Sequence, residues 1–401
     1  SNSQRIDFLV RLEPSDRRSV QEEQAAWVER RTRFSRLYYL TNTAAARDIE
    51  TLAPEVDAAF TDVADRLRII IPGQPVPVAF IDNVWGNGAY TGDGLIISYT
   101  DRLYTTPDVG RVLRHEIVHW AMRPKSTPQT PLVLSEGLAV VVAGGHYKPE
   151  PIPERAAALL TLDLYIPLAD LADHFWEHQH EVAYLESAGL VMYLVERYGL
   201  DAFLDLYGSK GITANTPSGW LDAVFQRTYG VTLTQVESGY LDWLAVREPG
   251  PQTTDLRLTM LLYDTIRRYQ ALYAPYQESL PPVEEAAEKG RVSEFIREPN
   301  ANFNVGIETA LIAAQQALLD RDYPEAERVL LALNTSFADG DFSREPVADY
   351  LAIAERVAEA GSQAQRTVLS DSRATVIASE VLPRLETLNL AFDGEAWQVV
   401  N

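Results

Sequence analysis

The chain has 401 residues and no cysteine. Disulfide staples and thiol catalysis are therefore excluded, and cysteine usage leaves the redox compartment open. Positive charge is also scarce: 35 lysines and arginines against 57 acidic residues give a formal net charge of −22 at pH 7. That balance argues against nucleic acid or an anionic membrane surface as a partner. The acidity is spread along the chain, as on a solvated surface. No stretch reads as a membrane span or as a signal peptide. The chain opens Ser1-Asn2-Ser3 without methionine, which reads as a processed start with any targeting or anchoring segment upstream. Apolar residues make up 46%, enough for a large buried core and for two or three domains.

Histidine is scarce as well, with six residues, and two of them fall four apart in RVLRHEIVHWAM, residues 111 to 122. On a helix, residues i and i+4 lie one above the other, so the imidazoles of His115 and His119 can reach one ion. Glu116 sits about 100° round the helix from His115, beside the metal rather than on it, where it can take a proton from a bound water. This is the HExxH arrangement of metalloproteases. Val112, Leu113, Ile117, Val118, Trp120 and Met122 wrap the helix in apolar surface.

Two protein ligands leave a catalytic zinc site incomplete, since three plus a water are usual. Glu136 follows His119 by seventeen residues, within LSEGLAV, which reads as a second helix. Pro124, Pro128 and Pro131 force a turn between the two helices, so the second can fold back and present Glu136 to the histidines. A lone carboxylate in an apolar run is costly to bury without a partner, and a metal ion is a suitable one. Glu136 is the expected third ligand.

HEIVHW followed by LSEGLAV resembles the gluzincin zinc metallopeptidases, in particular the peptidase MA-like domains of bacterial extracytoplasmic proteins. AYLESAGLVMYLVERYG, residues 183 to 199, is similar to the helix those domains carry after the ligand helix, and YGVTLTQVESGYLDWL, residues 229 to 244, to their closing helix. The resemblance covers roughly residues 33 to 246. It implies a zincin-like α+β peptidase fold, a zinc cofactor, a peptide or protein substrate and an extracytoplasmic setting. It also implies a Tyr or His donor that stabilises the oxyanion, for which Tyr184 is the candidate and Tyr193 and Tyr198 weaker ones. An edge strand that binds extended substrate is expected too, and residues 95 to 99 would be that edge unless they form an ordinary internal strand. One departure stands out: thermolysin-like members place an Asp four residues after the Glu ligand, where this chain has Val140.

The remaining pattern supplies the scaffold. Residues 4 to 32 open with the apolar run IDFLVRL and continue polar and arginine-rich. Strands are expected at 34 to 42, 76 to 82 and 95 to 101, with a long amphipathic helix at 45 to 68. His174, His178 and His180 cluster in LADHFWEHQHEVAYLE; a second metal site is one reading, and a polar segment at the cleft rim is the favoured one. Pro and Gly gather at REPGPQTTD, residues 247 to 255, which reads as a boundary. The expected organisation is a peptidase domain with its N-terminal extension at 1–248 and a helical domain at 254–361. A strand-rich segment at 362–401 follows, with Asp393-Gly394 as a hairpin signal. Residues 306 to 333 read as a single tetratricopeptide-like helix pair, without an array. The expected chemistry is peptide hydrolysis, with Glu116 as general base. The competing reading is a catalytically silent zincin-like scaffold or protein-binding module, in which the metal's fourth position would be closed by protein.

Overall fold

The computed structural model describes residues 25–71, 73–84, 88–106, 108–273, 280–296 and 301–360, with side chains to residue 355, and the backbone of four strands between 365 and 400. The apolar run at residues 6–12 and the Asp393-Gly394 turn lie outside the described residues.

The architecture is α+β. A five-stranded mixed sheet has the order β1-β2-β3-β5-β4. Its strands are β1 (Trp27–Arg31), β2 (Ser35–Leu40), β3 (Val76–Ile81), β4 (Ala89–Thr91) and β5 (Leu95–Ser98). The three central strands run parallel, and β1 and β4 close the two edges antiparallel to their neighbours. Residues 95 to 99 are thus internal. The cleft-side edge is β4, hidden in the sequence inside a glycine-rich stretch that reads as a turn. Likewise β1 lies in the stretch read as polar and arginine-rich; as an edge strand it keeps its charged side chains in water.

Helix α1 (Ala44–Leu67) covers one face of the sheet through Ile49, Leu52, Val56, Phe60, Val63 and Leu67, at the 3.6-residue spacing of an amphipathic helix. Its first turn is capped by the Thr43 side chain, which accepts from the Ala46 amide. Helix α2 (Val109–Met122) carries the HExxH residues and starts at Asp108, whose carboxylate accepts from the Arg111 amide. Helix α3 (Leu132–Ala143) is apolar on nearly every side and sits in the core. Three short segments follow, α4 (Ile152–Thr161), α5 (Leu168–Asp173) and the 3-10 turn Phe175–Glu177, ahead of the long helix α6 (His180–Tyr198).

Helices α3 and α6 cross with backbones nearly touching. A Cβ on Gly137 would lie 2.4 Å from the Ser187 carbonyl oxygen and 2.8 Å from a Val191 methyl carbon, so only glycine fits there. Gly137 follows Glu136 directly and therefore sets how deep that carboxylate sits. Gly137→Ala is expected to destabilise the fold by about 1–3 kcal/mol, because the clash is with backbone. Thermal melts of the two proteins check this, and an unchanged midpoint would show that the helices separate without cost.

Helices α7 (Leu200–Tyr207), α8 (Pro217–Tyr229) and α9 (Leu233–Ala245) finish the first half. The second half returns to it. Helix α10 (Gln252–Tyr273) packs on α4 and α6, with Leu256 in the main core. After the short α11 (Val283–Glu288), Phe295 and Ile296 cover the sheet's other face, beside Tyr38, Leu40, Ala79 and Ile81. Helices α12 (Asn302–Leu319), α13 (Tyr323–Asp339) and α14 (Val347–Ala360) build a second core with α10, into which Val84, Tyr104 and Tyr147 of the first half insert. A buried set of polar bonds joins the halves: Arg102 meets Glu308 at 2.5 Å, and Tyr269 donates to the same carboxylate at 2.8 Å. The four C-terminal strands, β6 (Gln365–Leu369), β7 (Arg373–Ser379), β8 (Leu385–Phe392) and β9 (Trp397–Val400), form a separate antiparallel sheet in sequence order. Among the described residues, no helix is long and apolar enough to cross a membrane.

Candidate metal centre

Helices α2 and α3 bring together the three residues singled out as ligands. The Nε2 atoms of His115 and His119 lie 3.0 Å apart, and each is 3.2 Å from Glu136 Oε2. Four donors around a zinc ion at about 2.0–2.1 Å would be spaced roughly 3.3 Å from one another, so these three atoms already have the spacing of one face of such a tetrahedron. The donor set, two imidazole nitrogens and one carboxylate oxygen, suits zinc. The electrostatics favour a cation. Burial disfavours the charged form of His119, but the Glu136 carboxylate outweighs it and pushes the imidazole up to about 9. Burial likewise opposes ionisation of Glu136, yet the two histidines hold its carboxyl well below the ordinary range.

Glu116 is buried beside this group and is held from the sheet side. The Thr91 hydroxyl, on the edge strand β4, donates to the Glu116 carboxylate at 2.6 Å and lies 3.0 Å from the Glu116 carbonyl oxygen. Val140, four residues after Glu136, is fully buried, so no acid reaches the group from that position. The ring of His115 is instead flanked by aromatic surface, with the His119 ring at 4.8 Å and the Tyr184 ring at 6.2 Å.

A cleft of about 550 Å³ opens over the group. Tyr184 lines it from the first turns of α6. Burial, reinforced by the Glu136 and Glu116 carboxylates, pushes its hydroxyl well above the usual range, so it stays an O–H donor. Tyr193 packs on Tyr240 and Trp243, and Tyr198 stacks on Tyr229; neither lines the cleft.

The structure adds residues that the sequence reading missed. His146 follows α3 and lines the same cleft, its ring stacked 4.2 Å from that of Tyr184. Its Nδ1 lies 2.6 Å from the carboxylate of Glu181, which is only 1% exposed. Burial works against a charged His146, but Glu181 more than compensates and raises it. Its neighbour His180, 4.9 Å away ring to ring, is driven the other way, by burial and then by the positive charge of His146. The loop that carries His146 depends on Gly145, at φ 133°, where a Cβ would meet the Lys148 carbonyl oxygen at 2.1 Å. Lys148 and Arg155 both bind Asp255 in the first turn of α10, and Arg155 also reaches Glu150, whose carboxylate accepts from the His146 amide. The second half thus braces the loop. It also supplies a wall residue, Tyr263, stacked on His180 at 4.3 Å with the rings 2° from parallel.

His174 and His178, by contrast, both turn to Asp170, at 2.8 and 3.4 Å, on the outer side of the turn. The histidine cluster of residues 174 to 180 is therefore divided: two pair with one surface carboxylate, and His180 faces the cleft. No family model, no curated protein and no solved structure matches the chain, so its functional reading rests on the site itself.

Proposed function

We propose that the chain is a zinc-dependent peptidase of the gluzincin type, working on peptide or protein substrates in an extracytoplasmic setting. The observation that carries this reading is the convergence of His115 Nε2, His119 Nε2 and Glu136 Oε2 within 3.2 Å, with the Glu116 carboxylate alongside. Bound there, zinc would acidify a water and polarise the scissile carbonyl. Glu116 would accept a proton from the attacking water as the water oxygen bonds to the carbonyl carbon. It then returns the proton to the amine nitrogen as the C–N bond breaks. The carbonyl oxygen gains negative charge in the transition state, and two groups lining this cleft would donate to it: the Tyr184 hydroxyl and, in its protonated form, the outer nitrogen of His146, whose inner nitrogen faces Glu181. Thr91 holds Glu116 in place, and β4, the cleft-side edge strand of the sheet, is where an extended substrate backbone would pair.

The experiment is cleavage of a mixed peptide pool by zinc-loaded protein, with new termini mapped by mass spectrometry. Tyr184→Phe and His146→Ala are each expected to lower kcat about 10²-fold with a smaller change in KM, since both donors act on charge present only in the transition state. A zinc-loaded wild type that cleaves nothing in the pool would overturn the reading and move the weight to a silent scaffold.

A further inference from the structure

Trp176, on the 3-10 turn before α6, leaves 64% of its surface exposed, the most of any described tryptophan, tyrosine or phenylalanine. It stands between two hollows. One is the cleft over His115, His119 and Glu136; the other is a cavity of about 480 Å³ walled in part by Pro128, Pro131, Asn215 and Pro217. Leu132 and Trp176 line both, so the second hollow continues the first. Leu132 opens α3, the helix that carries Glu136, and this fixes the ridge relative to the metal group. An indole left in water on such a ridge gains free energy when an apolar side chain covers it. The second hollow also has a sign. Its lining includes Asp173 and Glu177 and no lysine or arginine, and its one histidine, His174, is paired with Asp170 at 2.8 Å. Asp173 is engaged with the amide and hydroxyl of Ser218, each at 2.7 Å, while Glu177 is exposed.

We infer that this second hollow is an extended subsite. It takes a segment of unfolded polypeptide with apolar and neutral or basic side chains, one apolar side chain lying on Trp176. The inference rests on the peptidase reading and names its substrate class: chains long enough to run from the metal group past Trp176, rather than di- or tripeptides. An extended peptide covers about 3.3–3.6 Å per residue, so an octapeptide spans about 26–29 Å and a tetrapeptide about half that.

The probes are three fluorescein-labelled peptides: an octapeptide alternating leucine and lysine, the same octapeptide with glutamate for lysine, and the leucine–lysine tetrapeptide. Their binding is followed by fluorescence anisotropy on the Glu116→Gln protein with zinc added, at about 0.15 M salt to suppress long-range attraction to an acidic surface. The lysine octapeptide is expected to bind at least tenfold tighter than either other probe. Trp176→Ala should erase the advantage of length. Asn215→Arg, an exposed position in the second hollow alone, should reverse the preference for lysine over glutamate. Equal binding of long and short peptides, a length advantage that survives Trp176→Ala, or no binding at all overturns the subsite. Turnover by the wild type is read separately. Cleavage that ignores length overturns the subsite and leaves the peptidase reading standing, whereas length-dependent binding with no cleavage does the opposite.

Discussion

Glu116→Gln is expected to abolish peptide cleavage, by about 10³-fold or more in kcat, with zinc still bound. Glutamine keeps the size of the side chain, and its amide oxygen can still accept from the Thr91 hydroxyl, so the packing of α2 against β4 survives. What it loses is the ability to take up a proton. In the proposed site the ligand atoms come from His115, His119 and Glu136, so metal content should not follow activity. Both are measured on one preparation: zinc by mass spectrometry and turnover on the best peptide from the pool. A variant with full activity would remove Glu116 from the mechanism. A variant that loses activity and zinc together would instead make Glu116 part of the metal site, and the base would have to be sought elsewhere.

The second large effect belongs to Glu136. Wild type is expected to carry about one zinc per chain, and Glu136→Ala to lose it. The variant leaves two imidazoles, and removes the buried carboxylate that faces both of them. A stability readout separates this from misfolding. A ligand that binds only the folded state stabilises it, by about 2.7 kcal/mol at a hundredfold excess over Kd. Added zinc should therefore raise the melting temperature of the wild type and leave that of Glu136→Ala unmoved, while the two share one far-ultraviolet dichroism spectrum. Wild type that stays free of zinc after addition would overturn the three-ligand site. Zinc retained by Glu136→Ala would place the third ligand on another residue.

The parts of this site that were legible in the sequence are those whose signal is local. His115, Glu116 and His119 lie within five residues of one helix, where periodicity alone puts the histidines on one face. Glu136 was legible because burying it in so apolar a run makes no sense without a partner. Tyr184 was reached by resemblance, and it does line the cleft. His146 gave no signal at all. It follows two glycines in a loop, and its carboxylate partner Glu181 is thirty-five residues further on. Thr91 was hidden because glycines around it imitate a turn, and Tyr263 because it sits on a helix of ordinary amphipathic pattern.

By itself the sequence determined the long helices, the central strands, the convergence of His115, His119 and Glu136, and the place of Glu116 beside them. All of these follow from residue spacing along short segments, which backbone geometry converts directly into shared faces. Only the tertiary structure decided the sheet order, which makes β4 rather than β5 the edge, and the pairing of His146 with Glu181. It alone also decided that the second half of the chain, through Asp255 and Tyr263, holds one wall of the cleft. These depend on contacts between residues tens to hundreds of positions apart. Such contacts are selected by which apolar faces can be buried together, and no local pattern records that choice.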